Sequence, residues 1–91
     1  MEFLHNTNEI TIQNENGEVI ALVAFPEESE NVVTVNRTFV SDVLRGQGIA
    51  GKLMGELVKN LKETNRKANP TCSYAVSWFE KHPEFQDLLS K

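Results

Sequence analysis

One segment limits what this chain can fold into more than any other. Ile49, Ala50, Leu53, Met54, Leu57, Val58 and Leu61 recur at helical spacing and form a single apolar stripe. The opposite face carries Lys52, Glu56, Lys59, Lys62 and Glu63, a solvated surface on which Lys59 and Glu63 stand at i and i+4. The spacing predicts one helix from about Gln47 to Thr64. Its stripe needs an apolar partner, and most of the other apolar residues fall in short strand-like runs, so the fold class is α+β. With 91 residues there is enough chain for one core and too little for two. A single domain over residues 1–91 is expected.

Upstream, Ile10 and Ile12 alternate with Thr11 and Gln13, Asn14 to Glu18 supplies turn chemistry, and Val19 to Phe25 follows as a second strand. Asn16 and Gly17 both tolerate positive φ, as a hairpin turn requires. The nearly continuous apolar run of Val19 to Phe25 predicts an inner strand buried on both faces and stopped by Pro26. Glu27 to Asn31 reads as a charged connection, and Val32 to Val40 as a third strand that is β-branched and alternating. Past the helix, Asn65 to Cys72 returns the chain to the sheet despite Pro70 and two asparagines. Ser73 is the expected N-cap of a short helix that carries Tyr74, Ala75, Trp78 and Phe79 and closes at His82-Pro83, and Glu84 to Lys91 packs back as a final turn.

The segment Leu44-Arg45-Gly46-Gln47-Gly48-Ile49-Ala50-Gly51-Lys52-Leu53 lies between the third strand and the long helix. A helix N-terminus presents amides without intrahelical acceptors and a partial positive charge, and glycines let a backbone approach a ligand closely. Together they describe a diphosphate cradle. A Walker loop is excluded because Lys52 lacks the glycine register before it and is followed by Leu53 where a hydroxyl is needed, and a dinucleotide loop is excluded by glycine spacing.

The pattern Arg-x-x-Gly-x-Ala, written by Arg45, Gly48 and Ala50, resembles the acetyl-coenzyme A diphosphate signature of the GNAT superfamily of N-acetyltransferases. Thr38-Phe39-Val40 before the loop, and Cys72-Ser73-Tyr74, His82-Pro83-Glu84-Phe85 and Leu88-Leu89 after it, extend the likeness to a short, single-domain branch of that superfamily. The resemblance implies a mostly antiparallel sheet of about four or five strands, one long helix after the loop and a short C-terminal helix. It also implies acetyl-CoA or CoA as cofactor, held by Val40, Arg45, Gly46, Gln47, Gly48, Ile49, Ala50 and Gly51. The activity implied is acetyl transfer to an amine of a small molecule or protein; the alternative is a CoA-binding sensor or interaction module with little transferase activity. The chain departs from the branch at Arg37 and Phe39, where members often carry a histidine and an acidic residue.

Each candidate side chain has a plainer reading beside the chemical one. Cys72 stands where the branch places a cysteine near the thioester, ahead of a helix start that favours its thiolate, but free cysteines are commonly small core hydrophobes. Tyr74 can protonate a leaving thiolate, or pack with its hydroxyl at the surface. These two form the expected catalytic set. His82 has the pKa class for acid and base work yet sits at a helix end, where it complements the dipole. Arg45 either contacts a phosphate or holds the loop. Trp78, Phe79 and Phe85 read as core, and His5 as part of a frayed start without a role.

Composition narrows the partners. Nine Lys and Arg against 13 Asp and Glu give a net charge of -4, which offers no broad cationic surface to a nucleic acid. One cysteine and two histidines imply neither an intramolecular disulfide nor a metal site. Met1 to Ile10 lacks the pattern of a signal peptide and no run approaches the roughly 20 apolar residues of a membrane span. A cytoplasmic monomer or weak homodimer, without membrane or nucleic-acid partners, is the expectation.

Overall fold

The computed structural model describes residues 2–90. The opening hairpin pairs β2 (Glu9–Gln13) with β3 (Val19–Ala24), and β1 (Leu4–His5) adds to its outer edge. In the turn the Asn14 side-chain oxygen accepts from the amides of Asn16 and Glu18 at 2.9 and 3.0 Å, and only Gly17 takes positive φ, at +82°. Asn16 keeps an ordinary conformation because Asn14 supplies the local hydrogen bonds.

β3 is an inner strand, between β2 and β6 (Arg37–Val40). Its burial is one-sided, however. Ala21 and Val23, with Phe25 just beyond the strand, are fully buried, while the other face is half-buried and Val19 is exposed. The apolar run therefore reflects pairing on both edges more than cover on both faces.

The stretch Val32 to Val40 is two strands. β5 (Val32–Val35) pairs antiparallel with β4 (Glu27–Ser29) and parallel with β7 (Lys67–Pro70), whereas β6 pairs antiparallel with β3. The result is a four-stranded sheet in the order β1-β2-β3-β6 beside a three-stranded sheet in the order β4-β5-β7. The alternation slips by one residue at Asn36: Val33 and Val35 face the core, but Arg37 and Phe39 are exposed and Thr38 and Val40 take the inner side. One unpaired residue is enough to invert which side chains point inward.

The four-stranded sheet packs on α1 (Ile49–Thr64), whose Ile49, Leu53, Met54, Leu57, Val58 and Leu61 are buried as the stripe predicts, and Val33, Val35 and Ala68 of the other sheet join the same core. Each such side chain contributes on the order of 1.5–3 kcal/mol by leaving water. Asn65 ends the helix in the left-handed conformation, φ 62°, its amide bonding to the Leu61 and Lys62 carbonyls. Lys59 and Glu63 form no ion pair. Among the described residues the ion pairs are Arg45–Asp42 and His5–Glu56.

β7 forms despite its composition because a neighbouring strand supplies its ladder. The short α2 (Ser73–Lys81) then begins with Cys72, in extended conformation, as its N-cap. Ser73 is the first helical residue, and no side chain caps the helix. Trp78 and Phe79 pack in the core, and Phe85 stacks on Trp78 with ring centroids 5.6 Å apart, as read from the sequence. The tail is a 3-10 helix, Pro83–Leu88, fastened to β7 by the Ser90 amide on the Ala68 carbonyl. Lys91 lies outside the described residues. No helix among the described residues is long and apolar enough to cross a membrane.

Candidate functional site

After β6 the chain makes one 3-10 turn, Asp42–Leu44, which anchors the loop by burying Leu44. The Arg45 amide bonds to Asp42 and the Gln47 amide to Leu44. Gly46 at φ +82° and Gly48 at φ +69° then fold the backbone over the first turn of α1, with Gly48 as N-cap. In consequence the amides of Gly46, Gly48, Ile49, Ala50 and Gly51 have no acceptor among the described residues, and after Gln47 the next satisfied one is Lys52, bonded to the Gly48 carbonyl at 3.1 Å. Five unpaired N–H groups at the positive end of a 16-residue helix form a surface of donors suited to an anion.

That surface lines a cleft of about 320 Å³ whose floor is Gly46, Gly48, Ile49, Ala50 and Gly51. Val40, Arg45 and Leu44 form one wall, and Tyr74 of α2 closes the other. Of the eight residues expected to hold the cofactor, seven line this cleft. Gln47 does not; it turns outward with its amide engaged by the loop. Leu44 also lines it and was not among the residues expected to hold the cofactor.

Arg45 reaches back to Asp42 at 3.0 Å, and both side chains are largely solvent-exposed. The pair braces the loop at the surface, where such contacts contribute little to stability.

The edge of β6 leads into the cleft. The Ser41 amide bonds to the Ile20 carbonyl, so by antiparallel alternation Phe39 and Arg37 direct their backbone groups at β3, and Thr38 and Val40 direct theirs away from it. β6 has no further strand beside it, because β5 and β7 have departed to the other sheet. Where they part, the Val35 carbonyl accepts both the Thr71 and the Cys72 amides, at 2.9 and 3.2 Å. A wedge opens between β6 and α2, with two free backbone donor and acceptor pairs along one side.

The two catalytic candidates sit differently. Tyr74 stands between the clefts, 37% exposed, with its hydroxyl 3.7 Å from where a Cβ on Gly51 would lie. Burial of the phenol raises its pKa above the usual 10.0. Cys72 is half-buried at the foot of α2, packed against the core, and lines neither of the two clefts beside the loop.

A second cleft, of about 470 Å³, continues past Gly48 and Gly51 between the two helices. Lys52, Ser77, Lys81 and His82 line it, with Trp78 at its base. His82 stacks on Trp78 with ring centroids 4.0 Å apart, and its Nδ1 lies 2.7 Å from the Trp78 carbonyl. A carbonyl only accepts, so Nδ1 carries the hydrogen and His82 caps the helix end, its plainer reading. From the sequence Lys52 read as part of a solvated helix face, and Lys81 was not singled out. His5 also has a partner, Glu56 of α1, at 3.1 Å.

Residues 9–88 match the family model of the GCN5-related N-acetyl-transferases. The solution structure of a GCN5-like protein from Staphylococcus aureus is 29% identical, covers 98% of this chain and 87% of its own, and superposes with a TM-score of 0.80. A GNAT family N-acetyltransferase from Escherichia coli, solved in complex with CoA, shares the fold at TM-score 0.64 and 23% identity over 88% of this chain and 45% of its own. A Mycobacterium tuberculosis protein in complex with CoA does so at TM-score 0.64 and 13% identity, over 84% and 47%. The chain thus spans about half the length of these last two. No curated protein matches the sequence. A family match over nearly the whole chain, on a fold that leads an open strand edge into an amide cradle, shows that this chain belongs to the GCN5-related N-acetyltransferase family.

Proposed function

We propose that this chain binds acetyl-coenzyme A in the cradle cleft and transfers its acetyl group to an amine of a small molecule or protein in the cytoplasm. One observation carries the reading: five unpaired amides at Gly46 to Gly51 lie in line with the free edge of β6. The residues fit the cofactor, since a diphosphate needs converging N–H donors and an extended amide-bearing arm needs an unpaired strand edge. Val40, Arg45, Gly46, Gly48, Ile49, Ala50 and Gly51 would hold it, with Gln47 supporting the loop from outside. When bound, acetyl-CoA supplies the activated acetyl thioester.

The chain's own residues position and protonate. The cradle fixes the diphosphate, the Thr38 and Val40 backbones guide the arm into the wedge, and much of the rate of such a transfer comes from this placement. Tyr74 keeps its proton at Oη throughout the neutral range, as an acid for a departing thiolate must. Cys72, at the narrow end of the wedge beside the Val35 carbonyl, is the candidate to take the acetyl group covalently. In a Cys72→Ala variant, transfer is expected to fall at least tenfold with CoA affinity retained; an unchanged rate would assign Cys72 to packing alone.

Titration of the isotope-labelled protein with acetyl-CoA and CoA tests the whole reading. Amide shifts centred on Arg45 to Gly51, followed by acetylation of amine acceptors, support it. Binding without transfer to any acceptor would leave a CoA-binding module. Absence of binding at millimolar ligand would sink both.

A further inference from the structure

The four-stranded sheet has a second face, turned away from α1. Ile10, Ile12, Ala21 and Val23 point into the core, so their neighbours along β2 and β3 point the other way. Register sets the outward side chains in two rows across the strands: Leu4, Thr11, Leu22 and Phe39 in one, Glu9, Ala24 and Arg37 in the next. The first row is apolar but for Thr11. Leu4 and Phe39 are each 39% exposed, Leu22 is half-buried, and none of the three packs on the core. A strand face met only by water carries polar residues, as β4 does with Glu27, Glu28 and Ser29.

The second row is charged at both ends. Glu9 and Arg37 stand two strands apart, about 10 Å between backbones, and neither has an ion-pair partner among the described residues. They flank Ala24 symmetrically. Between two copies placed face to face, a two-fold axis lying along β3 keeps each row in place and reverses its order. Glu9 then falls opposite Arg37 of the second copy, and Arg37 opposite its Glu9. In the apolar row Leu22 meets its own counterpart. The exposed Phe39 ring meets Thr11, which is small, 3% exposed and sunk between Leu4 and Leu22. The face is complementary to itself in charge and in relief.

We propose that the chain associates with a second copy of itself through this face, sheet on sheet, with a Glu9–Arg37 ion pair on each side of the axis and Phe39 seated over Thr11. Aligned sheets pack about 10 Å apart with strands within roughly 30° of each other, which keeps both pairings in reach. The occupant is a second copy because the two charges fit a partner that presents them in reverse order, as this surface itself does. Four strands about 4.8 Å apart and rows about 7 Å apart give each copy on the order of 400 Å² to bury, half of a standard interface. The dimer is therefore a weak one, with Kd on the order of 0.1 mM. It needs no ligand, and the cleft beside the inward-facing Val40 lies on the other side of the sheet.

The test is sedimentation velocity of the full chain over about 10 µM to about 1 mM, with the fold of each variant checked by its amide spectrum. Wild type should pass from monomer to dimer across this range. Arg37→Glu alone and Glu9→Arg alone each set like charges opposite one another across the axis, and each should weaken the dimer at least about tenfold. An equimolar mixture of these two variants restores opposite charges on both sides of the axis and should dimerise about as well as wild type, as should the double exchange Glu9→Arg/Arg37→Glu. Phe39→Ser should leave a monomer. Wild type that stays monomeric at the highest concentration, a dimer indifferent to Phe39→Ser and to the single exchanges, or a mixture that fails to associate overturns the proposal.

Discussion

Two glycines, one capping α1 and one inside it, have opposite uses. Gly48 holds φ +69° with no atom within 4 Å of the position a Cβ would take, so a side chain there meets no steric obstacle and is penalised by the backbone alone. Gly48→Ala is expected to destabilise by about 1 kcal/mol, roughly 4–8 °C in melting temperature. Gly55 lies in the middle of α1, also with open space around it, and needs no special conformation. Gly55→Ala should stabilise by about 0.5–1 kcal/mol, and thermal melts of the two variants should move in opposite directions. Tyr74 offers a sharper chemical test. Its phenol is harder to ionise when folded than when unfolded, so the stability it confers is intact below pH 10.0 and is lost as pH rises through the raised value. The same protonated hydroxyl is the proposed acid. Tyr74→Phe is expected to lower kcat by about 100-fold with CoA affinity nearly unchanged, measured by steady-state kinetics beside a binding titration.

At the scale of elements, β4 is held by side chains as much as by its ladder. The Glu28 carboxylate accepts from Thr34 Oγ1 at 2.7 Å and from Asn69 Nδ2 at 3.0 Å, and these bonds, Asn69 first, keep its pKa below the usual 4.5. Its contribution is present above pH 4.5 and is lost as pH falls through the lowered value. Amide exchange in Glu27–Ser29 should therefore accelerate in acid before exchange in β2 and β3 does. Glu28→Gln should flatten that dependence. These contacts also explain why the strand was illegible: Glu27 to Ser29 has no apolar pattern, and β1 has only Leu4 and His5. Both exist through pairing with a neighbour. The long helix, the hairpin and the glycine loop were readable because local periodicity or backbone chemistry specifies them. The slip at Asn36 was not, since Val32 to Val40 alternates smoothly in sequence and the change of strand partner comes from elsewhere. In the site, the cradle was visible from glycine spacing at a helix start, whereas Lys52 and Lys81 lie in separate helices and converge only in the fold.

For the molecule as a whole, the α1 stripe belongs to a single core shared by both sheets, and damage there is not local. Leu57 is fully buried, and Leu57→Ala is expected to cost about 2–5 kcal/mol. Against a total of roughly 5–14 kcal/mol for a chain of this size, that is a large share. Urea denaturation should show one cooperative transition at a much lower midpoint, because the helix and both sheets share one core. The Val35 carbonyl adds a point about order of assembly. Its two acceptor bonds reach across 36 and 37 residues to Thr71 and Cys72, whereas the β2–β3 hairpin closes across a five-residue turn. Loop closure of that length is entropically slower, so the hairpin precedes the junction in folding. Until the junction closes there is no wedge, so the proposed ligand site is complete only after the hairpin that forms one side of it.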